Sequence, residues 1–124
     1  MLKVVYCLRR QPHLGRAEFQ AYWRTVHGPL VVERAAVLGI RRYVQSHTQG
    51  DAAHAPLRTP RGTVEPYDGI AELWLDAAGT TEPQARPAAL ALLEDERRFI
   101  DLARSCVFVT AEHELVPLSP VAGQ

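Results

Sequence analysis

The order of predicted strands and helices is the feature that most constrains how this chain folds. Four short segments rich in β-branched and aromatic residues predict strands, and these are residues 2–9, 40–47, 67–76 and 106–115. Two longer segments carry apolar residues at helical spacing, namely residues 15–38 and the second half of residues 77–105. The order β-α-β-β-α-β predicts an α+β fold of the ferredoxin-like type, in which a four-stranded antiparallel sheet carries two helices on one face.

Such a sheet has a second face without helices, and an apolar face of that kind must be covered. We expect a second copy of the chain to cover it. The third predicted strand alternates in character, since Ala71, Leu73 and Leu75 point one way while Glu72 and Trp74 point the other. The apolar row is predicted to meet the partner sheet, and Glu72 and Trp74 are predicted to face a pocket.

The length of the chain favours one domain. Its 124 residues are enough for one domain with a hydrophobic core and too few for two domains of typical size. We predict one domain over residues 1–116 and a loose C-terminal tail over residues 117–124.

The composition argues against two classes of partner. Lys and Arg together number 14, as do Asp and Glu, so the formal net charge is +0. A neutral chain has no electrostatic footprint for phosphate backbones, and we expect no nucleic-acid partner. No segment is long and apolar enough to cross a bilayer, so we expect no membrane partner. The two cysteines, Cys7 and Cys106, form no CxxC motif, which favours a reduced, cytoplasmic protein.

Three sequence blocks resemble one known family. They are "FQAYWRTVHGPLV" (19–31), "YDGIAELWLD" (67–76) and "LLEDERRFID" (92–101), and they are similar in order and spacing to the EthD family of the dimeric α+β barrel superfamily. The resemblance implies a homodimer whose two sheets face each other and a small-molecule pocket between sheet and helices in each subunit. It also implies dehydration or cyclisation of polyketide-type aromatic intermediates, typically without a metal or organic cofactor.

His27 is the first candidate for chemistry. It lies on the apolar stripe of the first predicted helix, and Gly28 and Pro29 follow it directly. We expect these two residues to break the helix and to expose the imidazole edge to a cavity, where His27 would act as a general acid or base. The alternative is a core histidine that is hydrogen-bonded to a carbonyl freed by Pro29.

The third predicted strand contributes further candidates. Glu72 beside Trp74 would have its pKa raised by desolvation and would be a usable acid at neutral pH, with Trp74 as a wall of the pocket. An equally plausible alternative is that Glu72 pairs with Arg41 or Arg42 across the strands. Asp68 is a candidate substrate-binding residue, although an Asp before a Gly commonly shapes a turn.

The second predicted strand places Tyr43 and His47 on one face. A Tyr hydroxyl near a His can polarise a carbonyl and move a proton, so Tyr43 is predicted to be catalytic and His47 to bind substrate. Trp23, on the stripe of the first helix, completes the predicted substrate-binding set.

Residues 48–66 contain Gly, Pro, Thr and Asp without any period. A loop of that length is uncommon in a compact domain unless it is a lid or a binding loop, and we predict a mobile flap over the pocket mouth. His47, Asp51 and His54 offer metal-ligand types, as do residues 112–114, but neither group has the close spacing of a metal motif. We therefore expect neither a metal nor another cofactor.

Three functions are open to such a chain. The first is a cofactor-independent dehydratase or cyclase for a small carbonyl or aromatic, polyketide-like metabolite, with His27 as acid/base and Tyr43 and Glu72 as helpers. The second is a monooxygenase or haem-handling enzyme of the same fold, and the lack of a clear axial-ligand motif counts against it. The third is a non-catalytic accessory dimer that binds a small ligand.

Overall fold

The computed structural model describes residues 1–76 and 80–120. Its strands are β1 (Leu2–Leu8), β2 (Ile40–His47), β3 (Gly69–Leu75) and β4 (Cys106–Thr110). Its α-helices are α1 (Arg16–Tyr22), α2 (Gly28–Leu38), α3 (Ala55–Arg58) and α4 (Ala85–Phe99). No helix in these two ranges is long and apolar enough to cross a membrane.

The four strands form one antiparallel sheet in the order β2-β3-β1-β4. This arrangement confirms the predicted α+β fold and its ferredoxin-like strand order. The last strand ends at Thr110, before the predicted end at residue 115. Of the predicted tail, residues 121–124 lie outside the described part of the chain.

Two short elements interrupt the segment predicted to be a loop. A 3₁₀ turn covers Asp51–Ala53, and α3 follows it directly. Both have only a few residues, and proline at the start of α3 suits the first turn of a helix. Residues 48–66 are therefore partly helical rather than irregular throughout.

The core lies between the sheet and the long helices. Half of its buried members are aromatic, and the full set is Leu8, Phe19, Trp23, Ala71, Phe99 and Ile100. The ring centroids of Phe19 and Phe99 are 5.5 Å apart, and those of Phe19 and Trp23 are 5.7 Å apart. Contacts at these distances add to the stabilisation from apolar burial, and they join α1 to α4 over the sheet.

The faces of β3 are the reverse of the predicted ones. Ala71 is buried in the core and Leu73 packs against it, so this row meets the helices rather than a partner sheet. Glu72 and Trp74 lie on the opposite, open face. The reason is steric: Trp23 approaches the backbone of β3 so closely that the face beneath it carries small residues, Gly69 and Ala71.

Charged side chains surround Trp74 on the open face. Lys3 Nζ lies 2.6 Å from Glu72 Oε2 and 4.8 Å from the centroid of the Trp74 ring. The Arg42 guanidinium lies 4.5 Å from the same ring, and Trp74 Nε1 donates a hydrogen bond to Glu112. Glu72 is thus paired with Lys3, not with Arg41 or Arg42 as the alternative interpretation had it.

The two cysteines face each other across neighbouring strands. Cys7 on β1 and Cys106 on β4 are direct partners in the register of this antiparallel pair, and both are free thiols. Burial, and then the neighbouring Cys106, raises the pKa of Cys7.

Candidate active site

The first long helix is continuous through Pro29. A π-helical turn, Trp23–His27, joins α1 to α2, and the Gly28 N–H donates to the Trp23 carbonyl five residues earlier. Pro29 follows the widened turn and lies where the hydrogen-bond pattern changes from π to α. The predicted helix break is therefore wrong, because one widened turn accommodates the proline. Single π turns of this kind occur often at functional sites.

His27 ends that widened turn and lies inside the protein. It is 6% exposed, and its Nδ1 lies 2.8 Å from Asp95 Oδ2 on α4. The Tyr22 hydroxyl donates to the other carboxylate oxygen of Asp95 at 2.6 Å. An ionised carboxylate only accepts hydrogen bonds, so the neutral ring carries its proton on Nδ1 and presents Nε2 as the basic nitrogen.

A small cavity lies beside His27, between the sheet and the helices. Its volume is about 70 Å³, and its polar lining comes from Tyr6, His27, Tyr43 and Glu96. The Tyr6 hydroxyl donates to Glu96 Oε1 at 3.0 Å. Burial raises the pKa of Glu96 even though the Tyr6 hydrogen bond and His27 oppose the effect. Glu96 is thus a weaker acid than an exposed glutamate, and it lines the same cavity as His27.

Tyr43 is held by a chain of side chains on β2. The Gln45 amide donates to the Tyr43 hydroxyl at 2.7 Å and to the Trp23 carbonyl at 3.0 Å. His47 Nε2 lies 2.8 Å from Gln45 Oε1, and its ring stacks on Trp23 at 4.6 Å. Because its oxygen accepts from Gln45, the Tyr43 hydroxyl keeps its own proton for another acceptor. Burial raises the pKa of Tyr43, so that proton is retained at neutral pH.

His47 remains neutral near pH 7. Burial, and then the charge of Arg24, lowers the pKa of His47. Since Gln45 Oε1 is an acceptor, the neutral His47 ring donates to it from Nε2. His47 therefore orients Gln45, and through it Tyr43, instead of lining the cavity itself.

An open groove adjoins the cavity at Tyr43. It has a volume of about 500 Å³, and its walls include Arg24, Gly28, Pro29, Val32 and Tyr43. Tyr43 also lines the closed cavity. A molecule in this groove would therefore contact the same side chain that lines the cavity beside His27.

The predicted site residues divide into three groups. His27, Tyr43 and Trp23 line the cavity, and His47 acts on Tyr43 through Gln45. Two predictions are corrected, since Glu72 and Trp74 lie on the open face of the sheet and do not line the cavity. Asp68 lies neither in the cavity nor on the open face of the sheet.

Asp68 is a buried structural carboxylate with arginine partners. It is 3% exposed and accepts from the Arg10 backbone at 2.8 Å, from Arg10 Nη1 at 2.6 Å and from Arg16 Nε at 3.0 Å. Burial alone would raise the pKa of Asp68, but these hydrogen bonds outweigh it and hold the pKa below its usual value. It ties the start of β3 to the chain after β1 and to α1.

Asp68→Asn should lower the free energy of unfolding by about 1–3 kcal/mol near neutral pH. With a lowered pKa in the folded state, the ionised carboxylate stabilises the fold above about pH 4, and this contribution is lost as the pH falls through the lowered pKa. The difference between wild type and variant should therefore shrink in acid. Urea denaturation across this pH range measures it. Asp51→Asn is the control, because that carboxylate is 93% exposed and its Arg16 contact is worth little; a pH-independent difference for Asp68→Asn would contradict the assignment.

Four residues of the site were not singled out from the sequence: Tyr6, Tyr22, Asp95 and Glu96. A signal for Asp95 was present, because it falls on the buried stripe of α4 with Ala88, Leu92 and Phe99. A carboxylate at such a position needs a buried partner, and His27 is that partner. Tyr6 and Tyr22 carried no comparable signal.

The segment 48–66 lines a different part of the molecule. Its residues contribute to neither the cavity nor the open groove described above. Its role as a mobile flap stays a prediction. Within residues 1–76 and 80–120, no three His, Cys, Asp or Glu side chains are grouped so as to hold a metal ion.

Comparisons with known proteins agree on one family and one fold. The sequence pattern of the family described as EthD domain matches residues 11–103. A crystal structure of an ethyl tert-butyl ether D (EthD) family protein from Bacillus halodurans C-125 is similar with a TM-score of 0.62 at 16% identity, over 91% of this chain and 99% of that one. The crystal structure of HapK from Hahella chejuensis is similar with a TM-score of 0.54 at 11% identity, over 96% of this chain and 98% of that one. No curated protein sequence matches the chain.

Proposed function

Because the chain belongs to the EthD domain family, we propose that it is a small-molecule enzyme with His27 as its general base. The proposed substrates are small carbonyl compounds or aromatic, polyketide-like metabolites, and the proposed reaction is dehydration or cyclisation. The observation that carries this proposal is the hydrogen-bonded chain Tyr22–Asp95–His27 beside a cavity, in which Asp95 and His27 are buried. A carboxylate that fixes the tautomer and orientation of an imidazole is a recurring device for making a base.

The proposed step begins with removal of a proton α to a carbonyl. His27 Nε2 takes the proton, and the electrons of the broken C–H bond form an enolate whose oxygen receives a hydrogen bond from the Tyr43 hydroxyl. In a dehydration, the enolate then re-forms the carbonyl and a C=C bond while a β-hydroxyl leaves. The leaving oxygen takes the proton from His27 and departs as water, which returns the base to its starting form.

Glu96 supplies a second proton source to the same cavity. Its raised pKa suits a donor to a developing oxyanion or leaving hydroxyl, and the hydrogen bond that it accepts from Tyr6 fixes its position. Glu72, predicted from the sequence to be the acid, has no part in this proposal because it faces away from the cavity. Two carboxylates on α4 thus have separate proposed roles, Asp95 as orienting group and Glu96 as acid.

The size of the cavity limits what enters it. About 70 Å³ is far below the ~300–1,000 Å³ of typical ligand pockets. We infer that the reacting end of the substrate occupies the cavity and that the remainder lies in the open groove on the other side of Tyr43. The mainly apolar groove suits an aromatic or aliphatic body.

The proposal is tested with a β-hydroxy ketone small enough for the cavity. In deuterated water, the protein should accelerate exchange of the α-protons, followed by proton NMR, and release the unsaturated ketone, followed by ultraviolet absorbance. Exchange is the more direct readout, because it reports proton removal alone. Exchange at the rate of buffer across a panel of such ketones would overturn the proposal. Retention of a small ligand by the purified protein without any exchange would favour a non-catalytic accessory role instead.

We also propose a homodimer formed through the open faces of two sheets, in a reduced, cytoplasmic setting. The open face carries partly exposed apolar side chains, with Ile70 37% and Phe108 45% exposed. Helices cover the opposite face of the sheet, so a second copy would bury this apolar area. Cys7 and Cys106 lie opposite each other on neighbouring strands, and both are free thiols. Free thiols suit a reducing compartment.

Phe108→Asp should convert the proposed dimer to a monomer, because it would bury an unpaired charge between the sheets. Light scattering at micromolar concentration measures the mass. Val107→Asp is the matched control: it is the next residue of β4, points to the other side and is 59% exposed, so its mass should equal that of wild type. A charge at Leu73, which the sequence had placed at the dimer contact, would not test the dimer, because Leu73 packs against the core. A monomeric wild type would contradict the dimer.

A further inference from the structure

A second pocket of about 420 Å³ is lined by arginines. It shares no lining residue with the cavity beside His27 or with the open groove. Five guanidinium groups reach it from separate parts of the chain, and they belong to Arg9, Arg10, Arg16, Arg58 and Arg104. Arginine is the side chain that most often recognises carboxylate and phosphate groups, because its planar fork donates two parallel hydrogen bonds.

The carboxylates of the pocket do not balance these charges. Asp68 is shared between Arg10 and Arg16. Asp51 is 93% exposed and lies 3.4 Å from Arg16, so it contributes little. Glu65 is the third acidic residue of the lining, and Asp101 lies 3.9 Å from Arg104, so four carboxylates among the described residues stand against five guanidinium groups.

Two of the arginines have N–H donors that make only long hydrogen bonds, or none, to the described residues. Arg9 stacks on the Tyr67 ring at 4.2 Å and makes only long hydrogen bonds of 3.3 and 3.4 Å to backbone carbonyls. Arg58 donates to the Thr63 carbonyl at 3.3 Å, and its Nε is buried without a hydrogen-bond partner among the described residues. A buried donor without an acceptor is unfavourable, and the terminal nitrogens of both arginines keep N–H donors that an oxyanion in the pocket could accept from.

We propose that this pocket binds the oxyanion group, carboxylate or phosphate, of a small molecule. Arg9 and Arg58 are its main ligands, and Asp68 holds Arg10 and Arg16 in place at its inner wall. The segment 48–66 contributes Asp51, Arg58 and Glu65, so the predicted flap belongs to this pocket rather than to the cavity beside His27.

Calorimetric titration with inorganic phosphate and with succinate tests the proposal at low ionic strength. At least one of the two probes should bind to the wild-type protein, and the tighter one identifies the preferred oxyanion. Arg9→Gln and Arg58→Gln should each weaken binding by about tenfold or more, because each removes charge-assisted hydrogen bonds. Added salt should weaken binding as well.

Arg86→Gln is the matched control. Arg86 is exposed at the start of α4 and does not line the pocket, so this variant removes the same charge and should bind the probes like wild type. Binding of neither probe would overturn the proposal, and so would an equal loss of affinity in Arg86→Gln and the two pocket variants. Thermal melts check that each variant is folded. Two pocket variants are used so that the test still gives an answer if one of them does not fold.

Discussion

His27→Gln should lower the rate of α-proton exchange by about 10²–10⁴-fold, the usual contribution of a positioned base, while the protein stays folded. A Gln side chain cannot take a proton, so proton removal should fail. Its amide can still donate a hydrogen bond to Asp95, so the buried carboxylate keeps a partner. A rate and a melting curve on the same purified variant separate the catalytic from the structural effect.

Asp95→Asn tests the orienting group in the same assay. An Asn side chain can turn either its amide or its carbonyl oxygen towards His27, so it no longer fixes the proton on Nδ1, and the rate should fall. His54→Gln is the control, because His54 contacts the Gln49 carbonyl on an exposed loop and should not affect the rate. A folded His27→Gln variant with the wild-type rate of α-proton exchange would contradict the assignment of His27 as the base.

Gly69→Ala should lower the free energy of unfolding by about 1–3 kcal/mol. A Cβ at this position would lie 2.3 Å from Trp23 Cζ3 and 3.1 Å from the Ser46 carbonyl oxygen. Trp23 is 1% exposed, and its ring stacks on His47 and contacts Phe19, so it cannot move without disturbing the core. Urea denaturation at equilibrium measures the change.

Gly50→Ala is the control for that measurement. Its backbone has a φ of −60°, which any residue adopts, and a Cβ there would meet nothing within 4 Å. We expect its stability to stay within about 0.5 kcal/mol of wild type. Equal stability of Gly69→Ala and wild type would show that Trp23 packs less closely on β3 than the structure indicates.

The sequence by itself determined the order of elements and the residues that share a face. Both depend on short-range periodicity, which neighbouring residues carry with them. The helix end at Gly39 was equally local: a glycine with a φ of 71° terminates α2, as the residue type predicts. His27 was recognised in the same way, as a titratable ring on an apolar stripe.

Tertiary structure alone decided which face of β3 meets the helices. Alternation separates Ala71 and Leu73 from Glu72 and Trp74, but the pattern is the same whichever set points inwards. Trp23 packs so closely on β3 that small side chains must lie beneath it, so the face that carries Gly69 and Ala71 is the one that meets the helices. The sequence-based interpretation took the apolar row for the dimer contact and therefore placed Glu72 and Trp74 on the wrong side.

Tertiary structure also decided what His27 is bonded to. Asp95 is 68 residues away along the chain, and no local pattern in the first helix indicates it. The helix remained intact through Pro29 because the widened π turn accommodates a residue that has no N–H to donate. Local rules therefore predicted the scaffold and the histidine, while the packing of α1, α2 and α4 over the sheet created the carboxylate–imidazole pair.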